Sequence, residues 1–139
     1  MILVDTNILS ELMRPQPNEQ VIQWMDSIEG QDLGMTSVTV AEILYGIASL
    51  SEGRRKDRLV EAARAMFEED FHGRIFGFDA QAAVEYADIV LHREKNGSPI
   101  SMPDAQIAAI CRTKNCKLAT RNTKDFVGTD IELINPIDR

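Results

Sequence analysis

A chain of 139 residues, 44% of them hydrophobic and 27% charged, is long enough for one substantial core and ordinary for a globular protein. Its net charge of −7 and pI near 4.8 exclude a nonspecific basic coat for nucleic acid, though not a nuclease, because metal-ligating carboxylates lower the pI by themselves. No apolar run approaches the ~20 residues of a bilayer span. Residues 2–4 lead straight into Asp5 without a basic signal region, and two cysteines make neither a zinc set nor a disulfide framework; a cytoplasmic protein with reduced core or near-core thiols at Cys111 and Cys116 is expected.

The chain begins with Ile2-Leu3-Val4, too uniformly apolar for a half-exposed strand, and reads as one covered on both faces. Asp5-Thr6-Asn7 follows, and Ile8, Leu9, Leu12 and Met13 then recur at helical spacing. Ligands of open α/β sheets gather at the carboxyl ends of strands, which places Asp5 where chemistry occurs. Equally, Asp5 or Thr6 can do no more than cap the helix. Arg14-Pro15-Gln16-Pro17 breaks that helix, and Asn18 caps a second one whose apolar face is Val21, Trp24, Met25 and Ile28. A second strand is expected over Asp32–Thr36.

Val40, Ile43, Leu44, Ile47 and Leu50 mark a long amphipathic helix, and Thr39 and Glu42 have the spacing of a capping box at its start. Glu42 is therefore a cap, a first-turn carboxylate facing the sheet's carboxyl edge, or both. The next helix turns Leu59, Ala62, Ala63, Met66 and Phe67 inward and opens with Arg54-Arg55-Lys56-Asp57-Arg58, either a solvated face or a phosphate-contacting or partner-contacting edge. Arg74–Phe78 makes a third strand. Asp79 caps a helix whose predicted core face is Ala83, Val84, Ala87, Val90 and Leu91.

Asn96-Gly97-Ser98-Pro99 stops that helix, and Pro103 and Asp104 open another in its first turn, where a missing N–H costs nothing and the helix dipole favours an acid. Its buried stripe is Ile107, Ala108, Ile110 and Cys111. Lys117–Thr120 is a fourth strand with Arg121-Asn122-Thr123-Lys124-Asp125-Phe126 at its carboxyl end, and Ile131–Ile134 is a fifth. His72 and His92 read as surface or loop residues. Alternating strands and helices imply right-handed crossovers and a mostly parallel five-stranded sheet between helical layers.

In such a sandwich Asp5, Glu42, Asp104 and the Asn122–Asp125 loop fall at strand ends or helix first turns and can converge. Two carboxylates about 4 Å apart repel by roughly 4 kcal/mol at an effective dielectric near 20, so the cluster needs a counter-charge. Hard oxygen ligands suit Mg²⁺, with Mn²⁺ as a substitute, rather than zinc. Mg²⁺ keeps several waters, one of which can be activated towards phosphorus, and phosphodiester hydrolysis follows naturally. Thr6 could hydrogen-bond a carboxylate or water there, and Asn7 could orient Asp5.

Four stretches carry a resemblance: Val4-Asp5-Thr6-Asn7, Val40-Ala41-Glu42-Ile43-Leu44-Tyr45-Gly46, Pro103-Asp104-Ala105-Gln106-Ile107-Ala108-Ala109, and Ala119-Thr120-Arg121-Asn122-Thr123-Lys124-Asp125-Phe126. In this order they resemble PIN-domain proteins of the VapC type, the toxins of bacterial toxin–antitoxin pairs, and most of all the FitB-like branch. The resemblance implies a single PIN domain over residues 1–139 and a Mg²⁺-dependent endoribonuclease with Asp5, Glu42 and Asp104 as metal ligands. The family's fourth acid falls at Asn122 here, and Asp125, three residues on, either substitutes or stabilises the loop. The resemblance further implies a homodimer, and a VapB-like antitoxin lying over the active site in a toxin–antitoxin hetero-oligomer. An acidic groove would suit a basic antitoxin segment, with Arg121, Lys124 and the Arg54–Arg58 cluster left to contact RNA, single-stranded rather than duplex.

Two rivals stand beside this reading. A phosphoacceptor receiver domain would use Asp79, but it wants two adjacent acids after the first strand and a lysine after the last. A non-catalytic partner-binding module would keep the same fold and use the acids only as caps.

Overall fold

In the computed structural model, which describes residues 1–137, five strands form one sheet: β1 Ile2–Val4, β2 Leu33–Thr36, β3 Ile75–Phe76, β4 Lys117–Ala119 and β5 Leu133–Ile134. Their order is β3-β2-β1-β4-β5 and every pairing is parallel. The helices are α1 Thr6–Leu12, α2 Glu19–Asp26, α3 Ser37–Ala48, α4 Arg54–Ala65, α5 Ala80–Lys95 and α6 Met102–Lys114. The chain winds outward through β2 and β3 on one side of β1 and through β4 and β5 on the other. The direction of winding thus reverses between β1 and β4, whose onward connections pack on opposite faces of the sheet, Ile8 and Leu9 on one and Phe126 on the other. This is the position at which open α/β sheets form a crevice.

Side-chain alternation along these short strands divides the core in two. Leu3 and Leu118 face α5 and α6, joining Ala82, Ile89, Ala105, Ile107 and Ala108. Val4, Ala119, Leu33 and Met35 face the other layer, where α1 to α4 supply Ile8, Leu9, Val21, Trp24, Ile43, Ile47 and Ala63. Helices on both faces explain why the strands are continuous apolar runs. Cys111 and Cys116 are free and buried, His72 and His92 exposed, as expected.

β2 admits only glycine at position 34. A Cβ there would stand 2.9 Å from the Arg74 carbonyl oxygen, 3.0 Å from Leu3 Cδ2 and 3.1 Å from Met1 Sδ. The Arg74 carbonyl cannot yield, because it also accepts from the Met35 N–H at 3.0 Å. Gly34→Ala is therefore expected to cost about 1–3 kcal/mol through overpacking, read as a lower urea midpoint.

The sequence places several apolar residues on the wrong face. On α5 the core takes Ala82, Ile89 and Arg93, with Tyr86 and Val90 partly buried, whereas Ala83, Ala87, Val84 (71% exposed) and Leu91 (52%) face outward. The helix carries two apolar stripes. Packing against α6 selects the one with the small Ala82, because there the two backbones approach and the buried Arg93 finds acceptors. Leu44 on α3 and Ala62 on α4 likewise face outward.

Candidate active site at the β1/β4 crevice

Asp5 ends β1 and caps α1, its Oδ1 accepting from the Thr6 N–H at 2.8 Å. Across the crevice Thr120, at the end of β4, donates its hydroxyl to Asp5 Oδ2 at 2.8 Å. Asn7 Nδ2 donates to both, 3.4 Å from Asp5 Oδ2 and 3.3 Å from Thr120 Oγ1, while Asn7 Oδ1 accepts from the Arg121 N–H at 3.2 Å. The capping and functional readings of Asp5 thus describe one residue, and Asn7 orients it. Asp5 is only 5% exposed. Burial pushes its carboxyl up to about 6, the hydrogen bonds from Thr120 and Thr6 oppose the shift, and the charges of Asp104 and Glu42 reinforce it.

Glu42 corrects the sequence reading. The helix begins three residues earlier than the capping box requires, with Thr36 as the cap, its hydroxyl accepting from the Thr39 N–H at 3.2 Å. Glu42 lies a full turn inside α3 and caps nothing. Its Oε1 instead accepts from the Thr6 hydroxyl at 2.6 Å, and Thr6 shares a 3.1 Å hydrogen bond with the Thr39 hydroxyl. The cap's stability contribution therefore belongs to Thr36. Thr36→Ala should lose about 1 kcal/mol in urea unfolding, and Glu42→Gln should lose almost none, while only Glu42→Gln damages the site's chemistry.

Asp104 occupies the first turn of α6, capped by Ser101, whose Oγ accepts from the Asp104 N–H at 3.3 Å. Burial pushes the Asp104 carboxyl up; a hydrogen bond with Ser101 and the charge of Arg93 oppose this, and the charges of Asp125 and Glu42 add to it. Asp5 therefore sits in the fields of Asp104 and Glu42, and Asp104 in those of Asp125 and Glu42. Asp125 lies in the single helical turn Thr123–Phe126. Asn122 contributes backbone: its N–H donates to Thr120 Oγ1 at 3.1 Å, and its carbonyl accepts from the Asp125 N–H at 2.9 Å. Of the two candidates for the fourth position, only Asp125 brings a charge to the cluster.

Among the described residues no three His, Cys, Asp or Glu side chains form a ready-made metal cage. Mg²⁺ needs none, since it takes one or two carboxylates and completes its octahedron with water and substrate. A donor set of oxygens, with a carboxyl raised chiefly by burial and further by its acidic neighbours, fits such an ion.

Three residues escaped the sequence reading. Thr120 is the hub of the β1–β4 contact. Glu11, 6% exposed, accepts from Arg121 Nη1 at 3.1 Å and from the Asn18 N–H at 3.0 Å, so it ties the β4 loop to α1 and α2. Arg93, 8% exposed, donates from Nη1 to the carbonyls of Asp125 (2.8 Å) and Val127 (3.1 Å) and from Nε to that of Ser98 (2.6 Å), anchoring the Asp125 turn. Its signal in the sequence is its place in the row 82, 86, 89, 93, where a helix buries one face.

Beside Glu42 opens a groove of about 460 Å³ between α1, α3 and α4. Ile43, Ile47, Leu50 and Leu59 give it apolar walls, and Arg14, Arg55 and Arg58 also line it. Of the four acids only Glu42 borders this groove, and Arg55 and Arg58 of the Arg54–Arg58 cluster line it.

Comparison with known proteins agrees with this geometry. The PIN-domain family pattern matches residues 2–131. Toxin FitB of Neisseria gonorrhoeae is 40% identical over 136 residues, 98% of each chain, and VapC ribonuclease Y4jK of Sinorhizobium fredii is 32% identical over 98% of this chain and 97% of its own. The crystal structure of FitAcB from Neisseria gonorrhoeae superposes with a TM-score of 0.94 at 39% identity, covering 100% of both chains. With its acids gathered where β1 and β4 part, the chain belongs to the PIN-domain family and, within it, to the VapC and FitB toxins of toxin–antitoxin systems.

Proposed function

We propose that the protein is a Mg²⁺-dependent endoribonuclease, the toxin of a toxin–antitoxin pair. The observation that carries this reading is the Asp5 carboxyl, buried at the crevice and raised to about 6 amid the charges of Asp104 and Glu42. Such a group is costly to keep ionised unless a cation joins it. Asp5, Asp104 and Glu42 would hold Mg²⁺ or Mn²⁺, with Asp125 adding charge beside Asp104. When bound, the ion supplies an activated water and neutralises charge developing on the phosphate oxygens.

The chain's own residues prepare that site. Thr120 and Asn7 fix Asp5 Oδ2, the Thr6 N–H fixes Oδ1, and the Thr6 hydroxyl fixes Glu42. Two carboxylates from distant elements are thereby oriented before substrate arrives, which lowers the reorganisation needed on binding. Arg121 is committed to Glu11 and positions the β4 loop, whereas Lys124 is exposed and free to meet RNA.

The apolar, arginine-bearing groove beside Glu42 is where an antitoxin segment would lie: its floor offers no aromatic ring for a nucleobase to stack on, but suits aliphatic side chains flanked by acids. The outward row Ala80, Val84, Ala87 and Leu91 has the 4-3-4 spacing of a helix seam and suits the same helix of a second copy, giving a homodimer.

The test uses the protein freed of antitoxin, mixed RNA, and Mg²⁺ or EDTA. Cleavage is expected only with the ion and should fall ~100-fold or more in Asp104→Asn. RNA left intact under both conditions would make the fold a partner-binding module without catalysis. The receiver reading is lost, because Asp79 serves as a cap, accepting from the Ala82 N–H at 2.9 Å, in a chain of another family.

A further inference from the structure

A second concavity, about 240 Å³, lies between the last turn of α5 and the loop after β4. Its lining is His92, Arg93, Asn96, Ser98, Lys124, Val127 and Gly128, with no carboxylate among them. In a chain of net charge −7 this is a marked local exception. Several cations elsewhere are spent on acids: Arg64 on Glu61, Glu68 and Glu69, Arg112 on Glu85 and Asp88, Lys117 on Glu132, Arg121 on Glu11. Arg54, Arg55, Arg58 and Lys114, by contrast, have no ion pair among the described residues.

In the concavity Lys124 likewise has no ion-pair partner among the described residues. Arg93 is 92% buried yet also lacks a carboxylate partner there, spending Nε and Nη1 on three carbonyls and leaving Nη2 without a described acceptor. Arg93 lines the concavity and keeps Nη2 as a charged donor that could meet an anion there. Gly128, at φ +80°, curls the loop over Arg93 and His92, where its missing side chain keeps the wall open.

We propose that this concavity is a phosphate-binding subsite, seating a backbone phosphate of single-stranded RNA next to the one placed at the acids. The inference rests on the nuclease reading above. Arg93 connects the two places physically, because the same guanidinium holds the Asp125 carbonyl and lends its charge to Asp104. A strand whose scissile phosphate sits at the acids carries further phosphates on either side, and its passage needs cations on at least one of them. The concavity is donor-lined and more polar than the apolar groove beyond Glu42, so it suits phosphate better than an amphipathic peptide.

The experiment measures binding of a short, labelled, mixed-sequence single-stranded RNA by fluorescence anisotropy, in EDTA so that nothing is cut, across a salt series. Lys124→Gln should weaken binding several-fold at low salt and flatten the plot of log affinity against log salt by about 0.7, the loss of one phosphate contact. Lys114→Gln, an exposed cation at the opposite end of α6, is the control and should change neither. Equal losses in the two variants, or none in Lys124→Gln, overturn the subsite. So does a Lys124→Gln protein that binds RNA normally but loses its grip on an acidic peptide. Because binding is read without cleavage, Lys124-dependent binding by a protein that never cuts RNA would sink the catalytic reading and leave the subsite standing.

Discussion

Asp5→Asn should abolish RNA cleavage and, at the same time, make the metal-free protein more stable. The loss should be ~100-fold or more, since the variant removes the charge around which the other acids are arranged. The gain has a separate cause. At pH 7 the native Asp5 is ionised in a site that prefers it neutral, with its carboxyl moved from 3.8 to about 6, a penalty on the order of 3 kcal/mol. Asparagine removes the charge and keeps an oxygen for the Thr6 N–H. It does, however, turn an N–H₂ towards Thr120 Oγ1, which already receives Asn7 Nδ2 and the Asn122 N–H, and that conflict returns about 1 kcal/mol. The net expectation is about 1–2 kcal/mol of added stability in EDTA, seen in urea unfolding beside a dead cleavage assay. A variant that cuts RNA like the wild type would remove Asp5 from the chemistry, and one that is dead but less stable would make it a structural cap.

Metal-free protein should lose stability as pH rises from 5 to 7.5, and divalent ion should restore it at the upper end. Asp5 has a folded-state pKa above its unfolded value. Its favourable contribution is therefore complete below pH 3.8, declines through the interval up to about 6, and is gone above it. Between pH 5 and 7.5 the decline is on the order of 1 kcal/mol from Asp5 alone, and Asp104, also raised, acts in the same direction. Mg²⁺ binds the ionised cluster, so its stabilisation grows with pH; at a hundred times its Kd it contributes about 2.7 kcal/mol. Thermal or urea unfolding at the two pH values, with and without Mg²⁺, measures all four corners. Equal stabilisation by Mg²⁺ at pH 5 and 7.5 would mean that the ion binds elsewhere.

These expectations rest on proximities the sequence could suggest but not measure. The alternation of strands and helices and the helix layers were legible because short Val, Ile and Leu runs alternate with 3.6-residue periodicity, and such runs have few ways to bury themselves; the order of the strands in the sheet was not. Asp5, Glu42, Asp104 and Asp125 were legible as residues at strand ends and helix starts. Their grouping was expected from that shared place at the sheet's carboxyl edge, and the four-part resemblance implied the same set. What failed was local: the capping box at Thr39 and Glu42 has the right spacing, yet α3 starts at Ser37 and makes Thr36 the cap. Helix register is set by where β2 ends, one layer away.

The face of α5 failed for a related reason. Val84 and Leu91 are better core residues than Arg93 by composition, but α5 packs closely on α6 through Ala82 and Ile89, and Arg93 is admitted because the carbonyls of Ser98, Asp125 and Val127 are waiting for it. By itself the sequence determined the class of fold and the family and singled out the candidate acids, because hydrophobic periodicity and residue chemistry are properties of the chain. Only the tertiary structure decided that Thr120 holds Asp5, that Thr6 holds Glu42 and that Arg93 lies behind Asp125, because residues up to 115 positions apart meet only when strand order fixes who is neighbour to whom.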